Sequence, residues 1–98
     1  MSVVFTRVIT PKPGHLGDVL KFTKERVATL EKALGIDISI NARFGGPAGQ
    51  ISLVSYHDSM ADLEDVRRKV MEGVAGGSIP QGKPNSTESV EDVIWMKL

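Results

Sequence analysis

Two segments with a two-residue apolar period lie back to back in the middle of this chain, and each is flanked by a segment with helical spacing. Ile36, Ile38 and Ile40 alternate with Asp37, Ser39 and Asn41, and after a GGPAG stretch the alternation resumes in QISLVSY. Successive side chains of a strand point to opposite faces, so each segment reads as a strand with one apolar face. A short connection rich in Gly and Pro makes the pair an antiparallel hairpin, with the first strand carried on through Arg43 and Phe44. Before the hairpin, Leu16, Val19, Leu20, Thr23, Val27, Leu30 and Leu34 recur at the spacing of one amphipathic helix, and Gly35 stands where a left-handed C-terminal cap is expected. After the hairpin, Met60, Leu63, Val66 and Val70 form the inner stripe of a second helix. Ser59 and Asp62 are spaced for a reciprocal N-terminal cap, and Glu64 with Arg68 and Asp65 with Lys69 form four-residue charge pairs.

The outer parts of the chain complete the pattern. VVFTRVIT, residues 3–10, is a strand that TPKPGH terminates, and the closing VEDVIWMKL is another. Residues 73–89 are rich in Gly, Pro, Ser, Asn and Thr and read as a long mobile loop. The order strand, helix, strand, strand, helix, strand predicts an α+β fold. It is the ferredoxin-like arrangement, with a four-stranded antiparallel sheet and two helices on one face. Residues 1–98 form a single domain, whose core is small enough to profit from association.

Lys and Arg number 12 and so do Asp and Glu, giving a formal net charge of zero. That balance argues against a nucleic-acid partner, whose phosphates call for a basic stripe, and QISLVSY lacks the aromatic and basic pattern that stacks bases. The absence of cysteine leaves no disulfide framework and no thiolate metal site. No apolar run suits a bilayer or a signal sequence, so no membrane partner and a cytoplasmic location are expected.

Arg7, set among aliphatic and β-branched residues, raises the question of which way each strand faces. An unpaired guanidinium under a dry helix layer costs several kcal/mol or more. On that ground Val4 and Val8 belong under the helices with Ile38, Ile40, Ile51 and Leu53. Phe5, Arg7, Ile9, Asn41, Arg43, Ser52, Val54 and Tyr56 then face the other way, together with Trp95 or its neighbours Ile94 and Met96. So many large apolar groups beside arginines suit neither open water nor dry core. A second copy of the sheet covering this face resolves the conflict, closing a two-chain barrel with a cavity inside.

In these respects the chain resembles the dimeric α+β barrel superfamily, in its antibiotic-biosynthesis monooxygenase and NIPSNAP-like group. The resemblance is carried by TRVITPKPGHLGDVLKF, ARFGGPAGQISLVSY and SYHDSMADLEDV, spans roughly residues 3–72 and the last strand, and rests on structural motifs. It implies a homodimer joined through the open sheet faces. It does not assign a reaction, since members range from cofactor-independent oxygenases through haem-degrading enzymes and lyases to proteins of unknown activity. The haem-degrading branch carries an iron-ligating histidine on its second helix, and SMADLEDVRRKVMEGV has none, so no cofactor is expected.

The candidate cavity residues are Arg7, Asn41, Arg43, Tyr56, His57 and Trp95. Arg7 and Arg43 offer fixed donors to an anionic or enolate oxygen, or else pair across the dimer with Asp37 or a C-terminal carboxylate. Asn41 donates to a ligand carbonyl or bonds a neighbour; Tyr56 and Trp95 line an aromatic pocket or anchor the interface. His57 beside Asp58 has the makings of an acid–base group, but no nucleophile is placed and catalytic residues stay unassigned. His15 reads as exposed, and the two histidines lack ligand spacing, so no metal is expected. The functional expectation is a homodimer that binds a small aromatic or anionic molecule in the barrel cavity; the alternative is a cofactor-independent monooxygenase-like enzyme acting on an aromatic or polyketide-type substrate.

Overall fold

A computed structural model describes residues 2–43, 49–79 and 85–98. The elements follow in the order β1 (Val3–Pro11), α1 (Leu16–Leu34), β2 (Ser39–Ala42), β3 (Ile51–His57), α2 (Met60–Ala75) and β4 (Thr87–Met96). All neighbouring strands are antiparallel and the sheet order is β2-β3-β1-β4, the ferredoxin-like arrangement expected from the periodicities.

The helix ends follow from local chemistry. α1 stops at Gly35, whose φ of 65° and ψ of 29° are left-handed, and whose N–H reaches the Glu31 carbonyl. The Glu31 carboxylate in turn accepts the Ile38 N–H at 3.1 Å, tying the entry of β2 to the helix. At the start of α2, the Ser59 hydroxyl accepts the Asp62 N–H at 3.2 Å, which is one half of the expected reciprocal cap. Of the expected charge pairs on α2, Asp65 with Lys69 forms at 3.1 Å, but Arg68 turns to Asp65 and Glu72 instead of Glu64. The Asp65 carboxyl is held below its ordinary range by its hydrogen bonds from Arg68 and then Lys69.

The core joins Val19 and Val27 of α1 to Ile9, Ile51 and Leu53 of the sheet, with Ile38 and Ile40 packed at its side. Leu63, only 1% exposed, anchors α2. β2 is shorter than expected: regular pairing begins at Ser39 and ends at Ala42, although the Arg43 N–H still reaches the Gln50 carbonyl at 3.0 Å. Phe44 and most of GGPAG lie outside the described residues, as do residues 80–84 of the expected loop. The rest of that loop departs from the expectation at both ends. α2 runs on to Ala75, β4 begins at Thr87, and Ile79 is buried.

One expectation is overturned. Directly paired residues of antiparallel strands share a face, and Phe5, Arg7 and Ile9 stand opposite Ser55, Leu53 and Ile51 on the helix side. Val4 and Val8 face the open side, opposite Tyr56 and Ser52. β1 is therefore turned over relative to the reading that kept Arg7 away from the helices. The reason is a partner: Arg7 stands directly across from Asp92 of β4 and grips it with two hydrogen bonds, Nε to Oδ1 at 2.7 Å and Nη2 to Oδ2 at 3.0 Å. A bidentate pair removes most of the cost that an isolated guanidinium would carry.

Candidate functional site

The helices do not close down on the sheet. Between them lies a cleft of about 470 Å³, within the ~300–1,000 Å³ usual for small-molecule sites. Phe5, Arg7, Leu53, Ser55 and His57 contribute from the sheet, Arg26, Leu30 and Leu34 from α1, and Leu63, Val66, Arg67 and Val70 from α2. The spacing explains the shape. Arg26 lies three residues after Thr23 and four before Leu30, on the inner stripe of α1. Arg67 lies four after Leu63 and three before Val70, on the inner stripe of α2. At these positions α1 buries a guanidinium on its sheet side, whereas Arg67 of α2 stays exposed at the edge of the cleft.

The charges gather around one ring. The Arg7 and Arg67 guanidinium carbons lie 6.0 and 5.8 Å from the centre of Phe5, at the outer range of a cation–π contact. Arg26 is almost fully buried, and burial followed by the neighbouring Arg7 charge lowers its pKa from the ordinary arginine value. Arg7 is matched by Asp92, whereas Arg67 meets no carboxylate among the described residues. The Arg7–Asp92 pair, buried Arg26 and exposed Arg67 thus border a mostly apolar space. On the sheet side, the Ser55 hydroxyl and His57 Nε2 are 2.8 Å apart, and both residues are buried.

Of the residues expected in a barrel cavity, Arg7 and His57 line this cleft, on the opposite side of the sheet from a barrel interior. Asn41, Tyr56 and Trp95 do not join them. Asn41 is on the open face, opposite Ser52, where its amide donates to Ser39 Oγ at 3.3 Å. Tyr56 and Trp95 flank Val4 on that face and are 74% and 63% exposed. Arg43 follows β2 and donates to Gln50 Oε1, and Gln50 in turn donates to Thr10 Oγ1 at 3.0 Å. The sequence reading passed over Arg26, Arg67 and Ser55, although the two arginines were legible as charges at stripe positions. Among the described residues no group of three or more His, Cys, Asp or Glu could hold a metal ion, and no helix is long and apolar enough to cross a membrane.

No protein-family model matches the chain, and no curated protein matches its sequence. Solved structures do match its fold. A NIPSNAP family protein from Agrobacterium tumefaciens superposes with a TM-score of 0.81 at 22% identity, covering 100% of this chain and 94% of that one. A mutant of MhuD with two manganese protoporphyrin IX bound per active site gives 0.73 at 13% identity, over 98% and 94% of the two chains. A candidate monooxygenase from Shewanella loihica PV-4 gives 0.69 at 10% identity, over 99% and 94%. Together with the strand order and the paired helices, these matches show that the chain has the fold shared by NIPSNAP-like and monooxygenase-like α+β barrel proteins.

Proposed function

We propose that this protein is a homodimer that binds a small aromatic or otherwise apolar anion, in the cleft between helices and sheet of each protomer. The observation that carries the binding reading is the approach of Arg7 and Arg67 to Phe5, with Arg26 lining the same otherwise apolar cleft. Cationic groups at the rim of an apolar space attract an anion more strongly than they would in open water. A ligand anion meets that field, and the Phe5 ring and aliphatic walls supply contact area for its apolar part. Arg67, with Phe5 as its neighbour, is the cation free to meet the anion, and Arg26 supplies a fixed charge behind it. Arg7 is committed to Asp92 and acts mainly by positioning.

The homodimer reading rests on the other face. Tyr56, Val4 and Trp95 form an adjacent apolar row on the open side of the sheet, and a second copy of that face is their natural cover. The alternative reading, a cofactor-independent monooxygenase-like enzyme with an aromatic or polyketide-type substrate, is favoured by buried His57 in the cleft, a group able to take a proton from a bound acidic ring.

The test is a thermal-shift screen of aromatic and alkyl carboxylates against the wild type and Arg67→Met, with Arg7→Met as a comparison. At least one compound should stabilise the wild type and lose most of its effect in Arg67→Met, while uncharged analogues stabilise neither. A panel that shifts neither protein would sink the binding reading. Sedimentation at micromolar concentration checks the dimer, which a stable monomer there would exclude.

A further inference from the structure

The Ser55–His57 pair is not needed for binding an anion, and the cleft gives it a second use. We propose that Ser55 is a nucleophile and His57 its general base, so that the cleft cleaves esters whose aromatic or apolar part carries a separate carboxylate. This rests on the anion-binding reading above. Ser55 and His57 are two residues apart on β3, so both side chains rise from the same face of the sheet into the cleft. The 2.8 Å separation of Oγ and Nε2 is the reach a hydroxyl needs to pass its proton to a base. Both residues are buried, which withholds bulk water from the pair. A Ser–His pair is recognised by such geometry, whatever fold carries it.

The chemistry balances without any co-reactant beyond water. With the imidazole protonated on Nδ1, Nε2 accepts the Ser55 hydroxyl proton as Oγ bonds to the ester carbonyl carbon. The carbonyl electron pair moves onto oxygen, giving a tetrahedral oxyanion. When that pair returns, the bond to the leaving alkoxide breaks and the alkoxide takes the proton from Nε2. Water then repeats the attack on the acyl-serine with His57 again as base, releasing the acid and restoring both side chains. The positive field of Arg7, Arg26 and Arg67 favours both the anionic ester and the oxyanion.

A structural role for the pair is the competing account: two neighbouring polar groups satisfying each other under the helices. The experiment separates the two. The folded protein is treated with a fluorophosphonate probe and analysed by intact mass and peptide mapping. Turnover of 4-acetoxybenzoate is followed in parallel by release of 4-hydroxybenzoate, and binding of 4-hydroxybenzoate by thermal shift. The expected result is an adduct on Ser55 and ester turnover. Both are lost in Ser55→Ala, and turnover falls by about 10²-fold or more in His57→Gln, while Ser55→Ala still binds 4-hydroxybenzoate. Binding without adduct or turnover in the wild type overturns the nucleophile and leaves the binding reading standing. Turnover that survives Ser55→Ala overturns it equally. Failure of the wild type to bind 4-hydroxybenzoate or to turn over its acetate overturns the nucleophile, and the binding reading falls with it only if the carboxylate panel is also flat.

Discussion

Removing Asp92 should harm this protein more than removing the arginine it holds. The pair is bidentate, with contacts of 2.7 and 3.0 Å, and the side chains of Arg7 and Asp92 are 25% and 30% exposed. Exposed pairs are worth about 0.2–1 kcal/mol, and breaking a buried pair costs about 3–5 kcal/mol. A partly covered bidentate pair belongs between these, so a coupling of about 1–2 kcal/mol is expected. The two single substitutions are not equivalent. Arg7→Met keeps the apolar stem and leaves a carboxylate that water can reach, at a cost of about 1 kcal/mol. Asp92→Asn strands a guanidinium beside Arg26, whose charge already feels Arg7, and should cost about 2 kcal/mol. In a domain of this size each kcal/mol moves the thermal midpoint by roughly 4–8 °C. Urea unfolding of wild type, both single variants and Arg7→Met/Asp92→Asn, at one protein concentration so that association does not intrude, closes the cycle. A coupling within about 0.3 kcal/mol of zero, or an Arg7→Met variant less stable than Asp92→Asn, would refute the argument that Asp92 is what permits Arg7 to face the helices.

Three further predictions test the frame around the cleft. Leu63→Ala removes the buried anchor of α2 and should cost about 2–4 kcal/mol in urea unfolding, since the neighbouring cleft offers little to collapse into the gap. Gly35→Ala forces a side chain into the left-handed cap of α1 and should cost roughly 1 kcal/mol by the same measurement. The lowered Asp65 pKa means that its pairing contributes stability above the ordinary value of 3.8, and that this is lost as pH falls through the lower folded value. Asp65→Asn should therefore be less stable than wild type at pH 6 and indistinguishable from it at the acid end of a pH series of thermal midpoints.

Much of the fold was legible along the chain. The three- and four-residue spacing marks α1 over its full extent from Leu16 to Leu34, and Gly35 marks its end. Alternation places Ile38, Ile40, Ile51 and Leu53 on one face, because these aliphatic residues are the most hydrophobic alternates of the two segments. These are local properties, decided by side-chain period and backbone preference within a few residues. β1 is different. Its two sets, Val4 with Val8 and Phe5 with Ile9, are both apolar, so the two-residue period gives the alternation without saying which set turns inward. The charge of Arg7 points the wrong way, because its partner Asp92 lies 85 residues away and meets it only once β1 and β4 pair in register. The cleft belongs to the same category. Arg26 and Arg67 stand on helix stripes that the spacing already defines, but a stripe does not say what faces it. Two helices distant in sequence had to be laid over Phe5, Ser55 and His57 before those charges shared one space, since long-range pairing is set by the packed whole and local preference carries no record of it.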